Sequence, residues 1–370
     1  MRIAIIGAGI AGLYCAYKLS GQKVDVYEAS DVGGRMVSEV VNGVPIEGGA
    51  GVIRSTDKLC IGLLKELGVP VTFWKPEPTE ILYVDKNSVE ELDFNYKSLL
   101  KKVPKSNDKT FLEAVHNASL TPNQKIGLII GSSYSEMLDS DAASTLKYNN
   151  WDEFLFIEHK YGKPKEWSEL IDVLRKKVKI VKQKITSVKP KGNQWVLSNN
   201  EVYDIVVVTC GPDQIKIKGI PEWYEIINEY YFTTNYLRVY SFFDEPVELK
   251  HKICTNLPIR RVIPITDKVV MTVYTDGEDA DKINKLKKTE LNQLIIDSLA
   301  TLGIKVPKPK KNVKFYWKGG IPSWRPTGID LNKVLEYVQG PKEGLYFCGD
   351  RYSHHPGWIE GALQSVKKIL

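Results

Sequence analysis

The sequence predicts an α/β fold in which a parallel-sheet domain is interleaved with an α+β domain whose sheet is mostly antiparallel. Three observations carry this. Short, almost wholly apolar runs occur at the start, middle and end of the chain: Arg2–Gly7, Tyr203–Cys210 and Leu345–Gly349. Such runs suit strands buried on both faces, as in a parallel sheet. The first run passes through glycines into a helix and then a second strand, a strand–helix–strand unit. The material between the runs differs in kind: Leu237–Asp244, Arg261–Pro264 and Lys268–Tyr274 read as antiparallel strands.

The elements follow in order. Ile10–Ser20 is a helix, small and apolar on one side, with Gly21 at the position after its end. Lys23–Glu28 alternates and reads as the second strand. Thr56–Leu67 has leucines at helical spacing and Gly68 as its stop. Pro70–Pro104 is rich in proline, aromatics and β-formers without a clear period, and Asp108–Leu146 is helical in tendency, with Thr121-Pro122 as a cap and first-turn pair. Trp167–Lys177 and Lys287–Leu302 are helices, the latter stopped by Gly303, and Glu360–Ile369 is a terminal helix. The expected division is 1–70, 165–215 and 312–370 for the first domain, and 71–164 and 216–311 for the second.

Composition excludes several classes. The 370 residues are 43% hydrophobic and 26% charged, which is ordinary globular composition. No apolar run reaches the ~18–20 residues that span a bilayer. The apolar opening carries ordered glycines and a following strand, so it reads as fold and not as a leader peptide. Net charge is +6, from 51 basic and 45 acidic residues, with pI ≈ 8.7. That is below the footprint of a nucleic-acid binder. Five scattered cysteines without a CxxC pair argue against a disulfide framework and a zinc site, and for a reducing compartment. The expected location is cytoplasmic.

Gly7-Ala8-Gly9-Ile10-Ala11-Gly12 is GxGxxG, between a strand and a helix, and Glu28 ends the next strand ~20 residues on. Each part has a task. Gly7 makes the tight turn, Gly9 lets backbone approach a pyrophosphate, and Gly12 lets helix and sheet pack closely. The helix N-terminus, at Ile10 and Ala11, offers N–H groups and partial positive charge to phosphates. Glu28 can accept hydrogen bonds from a ribose diol and repels a 2′-phosphate. This is a Rossmann-type dinucleotide site. Arg35, behind Gly33-Gly34, can fold over the pyrophosphate.

With Gly33-Gly34-Arg35 in place the chain resembles the flavin-containing amine oxidase superfamily, and four further segments extend the likeness. Glu47–Ile53 is similar to the family's acid-then-glycines segment, which implies that Ala50, Gly51 and Val52 pass beside a flavin ring. Lys184–Val188 is similar to the strand whose backbone holds the adenine, with Ile185 in that slot. Tyr203–Pro212 resembles the family's central strand. Leu345–Asp350 followed by Gly357–Ala362 resembles the C-terminal flavin signature: Gly349 and Asp350 would hold the ribityl chain, while Trp358 and Ile359 open a helix aimed at the flavin's pyrimidine oxygen. The resemblance implies FAD, and the isoleucine at Ile321, where some members carry a cysteine, implies that it is non-covalent.

The same resemblance implies roles in the substrate half. Trp358 takes the slot of one wall of an aromatic cage, and Trp324 is the candidate for the other. Arg238 stands where many members carry a lysine that holds a water near the flavin's reactive nitrogen. Arginine stays charged and cannot shuttle a proton, though it can hold a water or an anion. Arg54 follows the glycine segment and is a candidate for binding a carboxylate. His354-His355 reads as loop, not as a metal site. The expected activity is oxidation of a carbon–nitrogen bond of a small amine or amino acid, with hydride passing to FAD and oxygen as acceptor. The alternatives are a same-fold enzyme of different chemistry (protoporphyrinogen oxidase-, desaturase- or renalase-like) and a non-catalytic flavoprotein scaffold.

Overall fold

The computed structural model describes residues 1–75, 78–86, 88–132, 134–148 and 160–370. The chain divides into two compact units. The first is Met1–Trp74, Lys160–Phe232 and Ile329–Leu370; the second is Lys75–His159 and Thr233–Gly328.

The first unit is built on a parallel sheet in the order Ile180–Lys182, Lys23–Glu28, Arg2–Ile6, Ile205–Val208, Leu345–Phe347. The three apolar runs are therefore neighbours in one sheet, as the sequence predicts. Ile3, Ile5, Val206, Val208 and Phe347 are fully or almost fully buried. Helices Ile10–Lys18, Lys58–Glu66, Trp167–Arg175 and Ile359–Ile369 share a core with the sheet. The third of these shows why. Trp167, Leu170, Ile171 and Leu174 recur at helical spacing, and all four are buried. Each such side chain contributes about 1.5–3 kcal/mol relative to exposure.

The second unit is built on a seven-stranded sheet in the order Lys311–Trp324, Tyr231–Phe242, Val269–Asp276, Arg261–Thr266, Lys252–Thr255, Thr79–Asp85, Ser88–Glu91. It is mostly antiparallel, with one parallel pairing between Lys252–Thr255 and Thr79–Asp85. Helices Gly277–Lys285 and Lys288–Thr301 cover one face through Ile283, Leu291, Ile295 and Leu299. The stretch Asp108–Leu146, helical in tendency, holds helices Phe111–Asn117, Pro122–Gly131, Glu136–Asp139 and Ala142–Tyr148, with Thr121-Pro122 as the cap and first-turn pair that the sequence predicts. Local capping cuts it. Thr110 with Glu113, and Thr121 with Gln124, form reciprocal capping boxes that start new helices.

Four segments fall on the other side of the expected division. Residues 216–232 belong to the first unit, because Lys216–Ile217 joins Ser187–Lys191 and helix Pro221–Tyr230 stacks Trp223 on Phe347 at 4.4 Å. Residues 71–74 and 160–164 do too, because Tyr161–Lys163 pairs with both Ile53–Arg54 and Thr72–Trp74. Residues 312–328 go the other way, because Lys311–Trp324 is the edge strand of the second unit's sheet. Among the described residues, no helix is long and apolar enough to cross a membrane.

Candidate functional site

The turn after the first strand is set by close approach. Gly7 has φ +109, and a Cβ there would lie 2.5 Å from Thr209 Oγ1. A Cβ on Gly12 would lie 1.9 Å from the carbonyl oxygen of Gly7. Gly9 differs. Its φ is −72, and a Cβ there would meet nothing within 4 Å. The chain itself does not need a glycine at that position, so the open space suits a group from outside the chain. The N-cap residue of helix Ile10–Lys18 is Gly9, which has no side chain to cap it, and the first-turn N–H groups have no helical acceptor. That is the donor set a pyrophosphate takes.

Around this turn the sequence-predicted residues gather. The Glu28 carboxylate accepts the Ala8 N–H at 2.7 Å and the Ser30 N–H at 2.8 Å, which fixes its position at the strand end. The Gly33 N–H donates to the Ala8 carbonyl at 2.9 Å and so ties the second glycine segment to the first. Gly34 turns through φ +60, and Arg35 then forms an ion pair with Asp350. Asp350 also accepts the Gly357 N–H at 3.1 Å. Burial pushes its carboxyl up, but Arg35, Arg351 and the Gly357 N–H outweigh that and hold it below the ordinary value. Gly349, just before it, has φ +126 and donates its N–H to Ser365 Oγ at 2.7 Å.

The remaining cofactor candidates lie in the same unit. The Ala50 N–H donates to the Arg35 carbonyl at 3.2 Å, and a Cβ on Gly49 would lie 2.0 Å from that oxygen. The Gly51 carbonyl accepts from Trp167 Nε1 at 3.2 Å, and Val52 is half-buried. Lys182 is in register with Glu28, and the Gln183 N–H donates to the Glu28 carbonyl, so buried Ile185 follows directly beyond the end of that pairing. Trp358 and Ile359 open the terminal helix. Arg54 is buried, and its guanidinium carbon lies 3.8 Å from the centre of the Trp358 ring. The structure thus brings two of the substrate-side candidates together as a cation–π pair.

Three contributors escaped the sequence reading. Thr209 Oγ1 donates to the Ile6 and Gly7 carbonyls at 3.0 and 3.1 Å and steadies the turn from the neighbouring strand. Arg351 is buried and donates to the Tyr231 hydroxyl at 2.9 Å. Glu360 accepts the Leu59 and Cys60 N–H groups at 3.2 and 2.9 Å. It caps helix Lys58–Glu66 from a residue 300 positions away, which no local pattern reveals. Burial raises its carboxyl despite those bonds. Glu360→Ala is expected to cost about 1–2 kcal/mol, as for a lost cap, and Glu360→Gln about 1 kcal/mol or more, because its one amide oxygen can accept only one of the two N–H groups and its NH2 faces the other. Urea midpoints of both variants check this.

The other two candidates belong to the second unit. Trp324 ends its strand, is buried, and accepts the Asp141 N–H through its carbonyl at 3.1 Å. Arg238 lies opposite Tyr274 in the strand register. Its Nε donates to the Tyr236 hydroxyl, and its guanidinium carbon is 5.0 Å from the Tyr274 ring centre. Among the described residues, no group of three or more His, Cys, Asp or Glu could hold a metal ion.

A parallel sheet carrying this glycine turn, a fixed acid at the second strand end and an arginine behind two glycines defines a Rossmann-type dinucleotide-binding unit. The comparisons narrow the class. The chain matches the flavin containing amine oxidoreductase family over residues 10–187 and 173–368, and it belongs to that family. It is 41% identical over 73 residues to a Mycobacterium tuberculosis protein that bears the name of a flavin-containing monoamine oxidase, a stretch covering 19% of this chain and 16% of that one. It is 35% identical over 91 residues to protoporphyrinogen oxidase 2 of Arabidopsis thaliana, covering 24% and 18%. These matched stretches span under a fifth of either relative. The fold is similar to that of putrescine oxidase, with TM-score 0.77 at 16% identity, covering 100% of this chain and 97% of that one.

Proposed function

We propose that this chain is an FAD-dependent oxidoreductase that oxidises a carbon–nitrogen bond of a small amine or amino acid, with oxygen as the final acceptor. The observation that carries the reading is Gly9: an open position at a helix N-terminus, next to Ala8 whose N–H is held by Glu28, in a unit where Arg35 pairs with Asp350 and in a family that contains flavin. The helix N-terminus and Arg35 would hold the pyrophosphate, Glu28 the adenosine ribose, and Asp350 the ribityl hydroxyls. Ile185 would contribute backbone to the adenine, and Ala50, Gly51, Val52 and Ile359 would line the ring. Ile321 stands where some family members carry a cysteine that bonds to the flavin, so the cofactor would be non-covalent.

Bound FAD supplies a two-electron acceptor for the hydride that leaves the carbon bearing the amino group. The imine product hydrolyses to a carbonyl compound and ammonia, and oxygen takes the two electrons and two protons to leave as peroxide. The protein's part is orientation and desolvation. Arg54 over Trp358 makes a rigid, half-buried wall. Arg238 holds a fixed positive charge where a lysine would titrate, so it can anchor a water or an anion without moving a proton. That same replacement keeps a second reading, a same-fold enzyme acting on a substrate other than an amine. The test is anaerobic titration of the yellow protein with amines, amino acids and reduced nicotinamides. Bleaching by amines or amino acids, with peroxide on readmitting air, is expected. Bleaching by nicotinamide alone, or by none of them, would overturn the amine reading.

A further inference from the structure

Arg351 has no role among the FAD contacts named above, yet it follows directly on the acid assigned to the ribityl hydroxyls. It lies in the single turn Asp350–Tyr352 and is 8% exposed. Its surroundings are rigid. Its Nη1 donates to the Tyr231 hydroxyl at 2.9 Å. A Cβ on Gly211 would lie 3.5 Å from its guanidinium carbon, so the guanidinium rests close to backbone just beyond strand Ile205–Val208. Its neighbour Tyr352 is tied down as well. The Tyr352 hydroxyl donates to the Cys210 carbonyl at 3.1 Å, and the Tyr352 carbonyl accepts from Gln339 Nε2 at 2.5 Å. All of these residues belong to the first unit.

Arg35 is placed differently. It pairs with the same carboxylate, but its side chain is 31% exposed and it follows a glycine at φ +60. Buried Asp350 is thus under the charge of two guanidiniums, one anchored in the interior and one nearer the surface. Burial raises its carboxyl, and Arg35 and then Arg351 outweigh that. The Tyr231 phenol, itself pushed up by burial, also faces it. The pyrophosphate assigned to Arg35 competes with Asp350 for that arginine. A carboxylate this buried is costly to keep charged without a cation of its own. Arg351 supplies one that never titrates.

We propose that Arg351 is a positioning residue for FAD: its fixed charge holds Asp350 as a carboxylate while Arg35 serves the pyrophosphate, so that Asp350 accepts from the ribityl hydroxyls. The inference rests on the FAD reading of the first unit. It has a signature in pH. Without Arg351, the Asp350 carboxyl binds its proton more tightly with FAD in place than without it. FAD binding then takes up a proton, and affinity falls as pH rises.

The test titrates FAD into the full chain freed of flavin, between pH 5 and pH 8. His354 and His355 follow in the same loop, and comparing variant with wild type at each pH cancels their titration. R351M is expected to bind FAD about 10-fold or more weakly than the wild type at pH 8, and within about 3-fold of it at pH 5. R351K keeps the charge and is expected to stay within about 3-fold of the wild type throughout. A ratio of R351M to wild type that does not change with pH means that Arg351 only supports the local fold, and overturns the proposal. A second measurement needs no Arg351 variant. Calorimetry in two buffers near pH 6 gives the protons taken up on FAD binding by wild type and by D350N. Uptake equal within about 0.2 proton is expected, and a wild-type uptake larger by about half a proton or more overturns the proposal. Failure of the wild type to bind FAD at any pH overturns the FAD reading itself, and this inference with it.

Discussion

Gly9→Ala is expected to fold like the wild type and lose its FAD, whereas Gly12→Ala is expected to lose the fold of the first unit. The two glycines are three residues apart in one motif, yet their surroundings are opposite. A methyl on Gly9 meets nothing within 4 Å, and its φ of −72 is open to alanine. Alanine there should change stability by under about 1 kcal/mol. The methyl would occupy space that a phosphate needs, so FAD affinity should fall by about 100-fold, the loss of a close-approach position. A methyl on Gly12 would sit 1.9 Å from a backbone carbonyl. No side chain can swing away, so helix and strand must separate, at about 3 kcal/mol or more. Thermal melts with and without added FAD separate the two. A Gly9→Ala protein that retains FAD as tightly as the wild type would mean that the cofactor does not approach this turn.

Asp350→Asn carries the second large effect. Asp350 is the partner of Arg35, faces buried Arg351 and accepts the Gly357 N–H. The amide keeps the shape and removes the charge, leaving two guanidiniums facing a neutral group. Arg35 is 31% exposed on its side chain, so solvent screens part of the loss, and about 1.5–3 kcal/mol at pH 7 is expected. The pH dependence has a definite sign. The folded-state carboxyl sits below its ordinary value, so the folded chain binds this proton more weakly than the unfolded one. Its contribution is full above about pH 4 and is lost as pH falls through the lower folded value. Urea midpoints should therefore differ widely between wild type and variant at pH 7, with the gap narrowing steadily as pH falls below about 4. A constant offset across that range would mean that the charge on Asp350 does not carry the effect.

Much of the first unit was legible because its signals are local. The apolar runs, the GxGxxG spacing and the glycine stops each lie within about a dozen residues, and each corresponds to an element of the parallel sheet or its helices. Glu28 and Arg35 were read from their spacing after the glycines and Asp350 from the family likeness, and the structure adds that the latter two pair with each other. What was missed depends on long-range contact. Glu360 caps a distant helix, Thr209 steadies a turn from the adjacent strand, and Arg351 reaches the hydroxyl of Tyr231, 120 residues away. Helix Pro221–Tyr230 did carry a signal, a proline in its first turn with Trp223 and Ile227 on its buried side, that went unused. Residues 312–328 were expected in the first domain because the segment around Ile321 resembles a family segment that passes beside the flavin. Strand Lys311–Trp324 instead runs through Gly319-Gly320, with Gly319 at φ +55 and the Gly319 N–H held by Asn235 at 2.8 Å.

The central claim is that the first unit is a non-covalent FAD site. The most direct measurement is the flavin content of the purified full chain, read from its visible spectrum and from the supernatant after acid precipitation. One FAD per chain, released intact into the supernatant, is expected. A colourless protein that takes up no added FAD would contradict the account.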